Sequence, residues 1–483
     1  MPVKINNQLT ARSLLSKARR VFALSAPKIL DLEKSWDESR GTPVFTVAGK
    51  YTTRGWTEWT QGFQFGTAIL QFDATGEKSF LELGRARTLE RMASHVSHVG
   101  VHDHGFNNVS TYGNLLRLIW EGRVSDREYE RALYELALKV SGAVQAARWT
   151  TIAGFPVNTG ALARWKRADR SNSAVSTASR ERTRGYIYSF NGPHSLFIDT
   201  MRSLRSLAVA HQLGHALMGE RDRRISLLQR LFEHAETTAE FAIYYGKGRD
   251  AYDVPGRTAH ESIFNINDGS YRCPNSQQGY SPFTTWTRGL AWAICGFAEQ
   301  LEYLSTLSAT ELKTIGRSRT DLNAFVKAAT VTADFYFANS CADGVPMWDT
   351  GAPNIYRLGD YLSQPSDPYN VWEPVDSSAA AIAAQGLLRL GNFLKSKGAK
   401  YRQAAFTIAN TIFDDPYLST SPRHQGLLLH SIYHRPNGWD HVARGQKIPN
   451  GESSMWGDYH ARELALMILR EAEGRPYLTF FKQ

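Results

Sequence analysis

Apolar residues return at positions i, i+3, i+4 and i+7 along most of the chain, which is the period of an amphipathic helix rather than of a strand. The pattern is clearest in EKSFLELGRARTLERMASHV from residue 77, REYERALYELALKVSGAVQAA from 127, RRISLLQRLFEHAETTAEFAIYYG from 223, TRGLAWAICGFAEQLEYLS from 287, LNAFVKAATVTADFYFANS from 322 and SSAAAIAAQGLLRLGNFLKS from 377. Several of these place Ala or Gly on the apolar side, where small side chains let helix axes approach closely. In all, about a dozen helical segments are predicted, each closed by a connection rich in Gly, Pro or Asn. Strand-type alternation is scarce. Helices in pairs form either an open solenoid or a closed ring. A solenoid requires a repeat of constant length, roughly 34 to 47 residues, and none is visible. The connections are long and rich in Trp, His, Asp and Gly, as in YTTRGWTEWTQGFQFG and GVHDHGFNNVSTYGN; such loops at one end of a helical ring make a funnel-shaped site. The predicted architecture is all-α, a closed barrel of paired helices forming a single domain over 1–483, with insertions near 164–185 and 354–374.

Composition sharpens this picture at three points. Aromatic residues make up 12% of the chain, including 12 Trp and 21 Tyr; their flat faces suit stacking on sugars or bases, although most serve a core equally well. A net charge of +10 favours anionic partners, but the basic residues are scattered except in RWKRADRSNSAVSTASRERTRG, which reads as a solvated surface insertion. An acidic small molecule is therefore expected rather than nucleic acid. Three cysteines without CxxC spacing indicate neither a disulfide framework nor a zinc knuckle. The N-terminal stretch lacks a signal-peptide core, and no run reaches the ~18 apolar residues of a spanning helix, so the expected location is the cytoplasm, away from membranes.

The chemistry-bearing residues fall in the loops and at helix starts. HVSHVGVHDHGF, residues 95–106, gathers four histidines around Asp103, a composition that suggests a metal site. His95, His98 and His102 lie at helical spacing while His102 and His104 lie at strand spacing, so no single element aims all four at one ion. Asp199 stands in HSLFIDTMRSLRSLAVAH at the start of an otherwise apolar helix. It is either an N-cap or a general acid whose pKa is raised by apolar surroundings, and spacing alone does not choose. Asp103 is the second candidate carboxyl. Arg288 and Trp292, one helical turn apart, could hold a substrate carboxylate bidentately and stack on its ring, or could simply pack on each other. His260 and Gln278 lie upstream in loops, as hydroxyl partners or as surface residues.

Together, WTQGFQFG, HDHGF with YGN, FIDTMRSL, QGYSPFTTWTRGLAWAICGF, VDSSAAAIAAQGLLRLG and MWGDYHARELALMIL resemble the unsaturated glucuronyl hydrolases, glycoside hydrolase family 88, in the family's order and over nearly the whole chain. The resemblance implies an (α/α)6 barrel, with six hairpins closing a toroid, and a reaction that hydrates the C4=C5 vinyl ether of a 4,5-unsaturated uronic acid at the non-reducing end of lyase-generated oligosaccharides. It implies Asp199 as the acid and base, and Asp103 as the second essential carboxyl. Trp59, His260, Gln278, Arg288 and Trp292 fall at substrate-contacting positions, and Phe190 stands where the family tends to have Trp. It implies no metal or other cofactor, an oligosaccharide partner of disaccharide size, and a monomer or weak homodimer. Ser203 departs from the family's ID-x-x-x-NL pattern. An unsaturated rhamnogalacturonyl hydrolase is the nearest rival, disfavoured by Asp103 and by RGLAW in place of an RGNGW-like stretch. A saturated-uronide glycosidase, a histidine-based metallohydrolase and a non-enzymatic helical scaffold are further alternatives.

Overall fold

The computed structural model describes residues 2–54, 58–152 and 184–481. Six helical segments form an inner ring: Gln61–Thr75; the run His104–Asn107, Val109–Gly113 and Asn114–Trp120; Thr200–Ser203 with Arg205–Gln212; Thr287–Thr306; Ser377–Leu394; and Met455–Ala472. Each packs on the next, and the last returns to the first. Outside them lie Leu15–Ser35, Lys78–Arg91, Glu128–Ala147, Leu227–Phe241, Leu322–Asn339 and Ala399–Ile412, completing an (α/α)6 barrel. The helices read from apolar periodicity are present, with ends shifted by a few residues, as in Leu227–Phe241 within the segment from 223. No helix among the described residues is long and apolar enough to cross a membrane.

The inner helices touch backbone to backbone, and glycine makes that possible. A Cβ added at Gly296 would stand 2.6 Å from the Met201 carbonyl carbon, and one at Gly386 would stand 2.6 Å from Cys295 Cα. The axis of the ring is filled by buried charge: Arg202 pairs with Glu299 and, at 3.2 Å, with Glu463, and Arg389 reaches Glu302 at 2.7 Å. Buried ions are tolerated only when paired, so these contacts lock the relative rotation of the helices that carry them.

Short strands decorate the loop end, more of them than the sequence pattern predicts. The one that matters for the site is Ser195–Phe197, paired antiparallel with Glu261–Phe264, which pairs in turn with Tyr271–Asn275. It delivers the chain directly into Asp199, and Ile198 N–H donates to the His260 carbonyl at 3.0 Å. The predicted insertion 164–185 lies outside the described residues except for Arg184 and Gly185, which open the strand Arg184–Ile187. The other, 354–374, forms two short 3-10 turns held by Glu373, whose carboxylate accepts from Trp348 Nε1 and Asn354 N, both at 2.9 Å.

Gly386→Ala should lower stability by about 1–3 kcal/mol through overpacking against the Cys295 backbone. Thermal unfolding of the purified variant checks this, and an unchanged midpoint would contradict the close contact.

Candidate active site

The loops at one end of the barrel line a solvent-open pocket. Of the candidate residues, Trp59, Asp103, Phe190, Asp199, Gln278, Arg288 and Trp292 line it and His260 does not. Asp199 stands at the N-terminal boundary of the helix Thr200–Ser203 with φ −67° and ψ −23°, and its side chain makes no capping hydrogen bond. Its Oδ1 instead meets His102 Nε2 at 3.0 Å, while Asp103 Oδ1 lies 3.9 Å from the same nitrogen. One imidazole thus stands between the two carboxyls, and it is wrapped by Phe190, stacked at 5.8 Å, and by Phe197, edge-on at 5.6 Å.

The other histidines of the 95–106 stretch diverge. His95 meets Gln61 Oε1 at 2.7 Å and Asn107 Nδ2 at 3.0 Å; His104 bonds Ser141 Oγ and the His98 carbonyl, both at 3.0 Å. Only His98 and His102 of the four reach the cavity. Two backbone contacts hold this stretch to the Asp199 turn. Gly105 N–H donates to Ser203 Oγ at 2.9 Å, and that hydroxyl donates to the His102 carbonyl at 2.6 Å. Ser203, the departure from the family pattern, therefore ties the two aspartate segments together.

Electrostatics divide the carboxyls in the opposite sense to the expectation from apolar surroundings. Burial alone would raise Asp199, but the charge of His102 and its hydrogen bond outweigh burial and hold the carboxyl below the usual range. Burial pushes Asp103 up to about 6, with the neighbouring Asp199 adding to the rise and His102 opposing it. Burial disfavours the charged form of His102, yet the two aspartates prevail and raise its pKa above the ordinary value. The neighbours of Asp199 in sequence are apolar, which alone would raise its carboxyl; its neighbour in space is the His102 imidazole.

Of the two readings open for Arg288, the structure shows its guanidinium bonded within the protein. Nη1 donates to the Ile432 carbonyl and lies 3.4 Å from Asp376 Oδ2, while Nη2 donates to Gln278 Oε1 at 2.7 Å and to the Tyr433 carbonyl at 2.8 Å. The guanidinium is sandwiched between Trp286 and Trp456, 4.6 and 4.7 Å away, not on Trp292. With these bonds in place it has no free fork for a bidentate clamp. Its effect on the cavity is to fix Gln278, whose Oε1 is taken, so that the amide NH2 is left to donate. Trp292 packs at 4.9 Å from Phe106 and Trp59 stacks on Trp456 at 5.1 Å, both forming cavity wall. His260 acts from behind: its Nδ1 accepts from the backbone N–H of Gln277 at 3.1 Å, and burial lowers its pKa to about 3, so the ring is a neutral support for the glutamine loop. Tyr433, His434 and Trp439, which no motif or periodicity marks, complete the wall from the loop before the last inner helix.

Comparison with known proteins agrees with the barrel fold. No family model matches the chain. It is 25% identical over 437 residues, 89% of its length and 91% of the relative's, to an unsaturated glucuronyl hydrolase of Bacillus sp. strain GL1. It is 27% identical over 48% of its length, and 46% of the relative's, to one of Formosa agariphila. Among solved structures, the Bacillus sp. GL1 enzyme superimposes with a TM-score of 0.65 at 20% identity, covering 96% of this chain and 99% of that one. The unsaturated glucuronyl hydrolase of Streptococcus agalactiae gives 0.66 at 17%, covering 100% and 99%.

The raised Asp103 carboxyl makes a prediction about stability. Between the unfolded value near 3.8 and the folded value of about 6, the folded chain holds a proton that the unfolded chain has released, so stability falls as pH rises through that window. Asp103→Asn removes this loss. Its unfolding free energy in urea should gain on the wild type from pH 4 to 6 and remain ahead above 6, by up to about 3 kcal/mol. Parallel pH profiles of the two proteins would refute the raised value.

Proposed function

We propose that the chain is a cytoplasmic glycoside hydrolase that removes a 4,5-unsaturated uronic acid from the non-reducing end of lyase-generated oligosaccharides, disaccharides in particular. The observation that carries this reading is the pair of buried carboxyls, Asp103 and Asp199, facing one aromatic-walled cavity with His102 between them. The likeness to unsaturated glucuronyl hydrolases over 89% of the chain supports the same choice.

In this scheme the unsaturated ring lies against the cavity wall formed by Trp59 and Trp292, and the Gln278 amide donates to one of its oxygens. Asp199 gives a proton to C4, oxocarbenium character develops at C5, and water adds there. Asp199 takes a proton from that water as its oxygen bonds to C5, which returns the acid for the next turnover. The hemiketal so formed opens, releasing the leaving sugar. Asp103 binds ring hydroxyls and, by its charge state, sets how readily Asp199 holds its proton. The incoming uronate brings a further negative charge, which disfavours ionised Asp199 and loads it for donation.

Asp199→Asn should cut the rate at which the ultraviolet absorbance of unsaturated disaccharides disappears by about 10²–10⁴-fold, the usual span of general acid–base catalysis, while calorimetry still detects binding. The wild type should clear at least one member of a panel of unsaturated chondroitin, hyaluronan, heparin, gellan, ulvan and xanthan fragments. A panel left wholly intact would overturn the reading.

A further inference from the structure

Burial divides the pocket lining into a floor and a mouth. Asp103, Asp199, His102, Arg288 and Trp292 are each at most 9% exposed. Glu58, His98, Phe190, Gln277 and Trp439 are half-buried, and Asn437 is exposed. The two aspartates stand at the floor, so a sugar joined to the ring they act on extends toward the mouth. Among the described residues lining that mouth, Glu58 is the one acidic side chain, and none is Lys or Arg. The side chain is fixed in place. Glu58 opens the turn Glu58–Thr60, and its carbonyl accepts from Asn107 Nδ2 at 3.4 Å. Thr60 Oγ1 donates to the Pro43 carbonyl at 3.1 Å, and Trp59 stacks on Trp456. Glu58 Oε2 accepts from the hydroxyl of Thr42, a fully buried residue. Among the described residues Oε1 accepts no hydrogen bond, and the carboxylate pairs with no cation. A carboxylate held by one oxygen offers the other to a hydroxyl and repels an anion in the same place.

Resting on the reaction proposed above, we infer that Glu58 is a specificity-determining residue. Its Oε1 accepts a hydroxyl of an uncharged leaving sugar, and its charge selects against a leaving sugar that carries sulfate. The floor reinforces this choice. A uronate already brings one negative charge beside Asp103 and Asp199, and Arg288 is committed to Ile432, Tyr433, Gln278 and Asp376. His434, also in the lining, is kept neutral, since burial lowers its pKa to about 4. A sulfate on the next sugar is therefore a second anion in a pocket whose described lining residues supply no uncommitted guanidinium or ammonium group. At low salt, repulsion between that sulfate and a partly exposed carboxylate is expected to weaken binding by about tenfold.

Three ligands test this: the unsaturated disaccharide of unsulfated chondroitin and its 4-sulfated and 6-sulfated forms. Their affinities are measured by calorimetry on Asp199→Asn, so that they stay intact, at low salt and about pH 7.5, where ordinary imidazoles are uncharged. Each sulfated form should bind about tenfold more weakly than the unsulfated one. Adding Glu58→Gln, which keeps an oxygen for the Thr42 hydroxyl, should reduce that ratio to about twofold, and raising the salt to about 0.5 M should reduce it without the substitution. If Glu58 merely held the turn, Glu58→Gln would weaken all three ligands alike and leave the ratio standing, which would overturn the inference. A sulfated disaccharide bound as tightly as the unsulfated one would overturn it too, as would binding of none. Loss of ultraviolet absorbance from the unsulfated disaccharide with the wild-type protein tests the reaction separately, so failure of the activity and failure of the role given to Glu58 are read apart.

Discussion

The barrel depends on inner helices meeting at backbone contact, and the active-site geometry is a consequence of one such meeting. A Cβ at Gly105 would stand 2.2 Å from the Ser203 carbonyl oxygen, so any other residue would force apart the segments that carry Asp103 and Asp199. The Ser203 hydroxyl then bonds both the Gly105 amide and the His102 carbonyl, fixing register as well as distance. The same rule operates at Gly296 against Met201 and at Gly386 against Cys295. A ring of six inner segments closes only if each neighbour distance is short and constant, which is why small residues on the apolar faces matter more here than the overall hydrophobicity of the helices.

Charge follows from that packing. Arg202, one turn after Asp199, is held at the axis by Glu299 and Glu463, and burial alone would make each of these ions costly. Pairing offsets part of that cost and ties the Thr200–Ser203 turn to the neighbouring inner helices, while Ser203 ties it to the Asp103 segment. Asp199 is consequently a rigid carboxyl rather than a mobile one, and His102 acts on it at a fixed 3.0 Å. A rigid pair of this kind can share a proton between well-defined sites, which a solvated carboxylate cannot.

Much of the barrel was legible because helix periodicity is a local property: the segments from 287, 322 and 377 appear as Thr287–Thr306, Leu322–Asn339 and Ser377–Leu394. The outer helix Leu15–Ser35 was less so, since Pro27 inside it weakens the local signal and its burial comes from Met455–Ala472, more than 400 positions away. The cavity residues were legible as residues but not as roles. Arg288 and Trp292 do share a helix, yet Arg288 is claimed by Ile432, Tyr433, Gln278 and Asp376, partners that only the closed ring brings near. Asp199 looked apolar in its surroundings for the same reason: Leu196, Phe197 and Ile198 are its neighbours along the chain, and His102 is its neighbour across it.

The commitment of Arg288 changes how an anionic sugar is to be received. Among the described residues, the cavity lining holds three carboxyl side chains, Glu58, Asp103 and Asp199, against one guanidinium, that of Arg288, which Asp376 already partly neutralises. The chain's net charge of +10 favours the approach of an anion to the molecule. In the proposed reaction, a uronate entering the centre favours protonation of the carboxyls beside it, because like charges in a buried site raise one another's pKa. Asp103, at about 6 before any ligand arrives, is already part-way there. On the proposed reaction, binding and protonation are then coupled, and the proton drawn in by the substrate's own charge is available for transfer to its double bond.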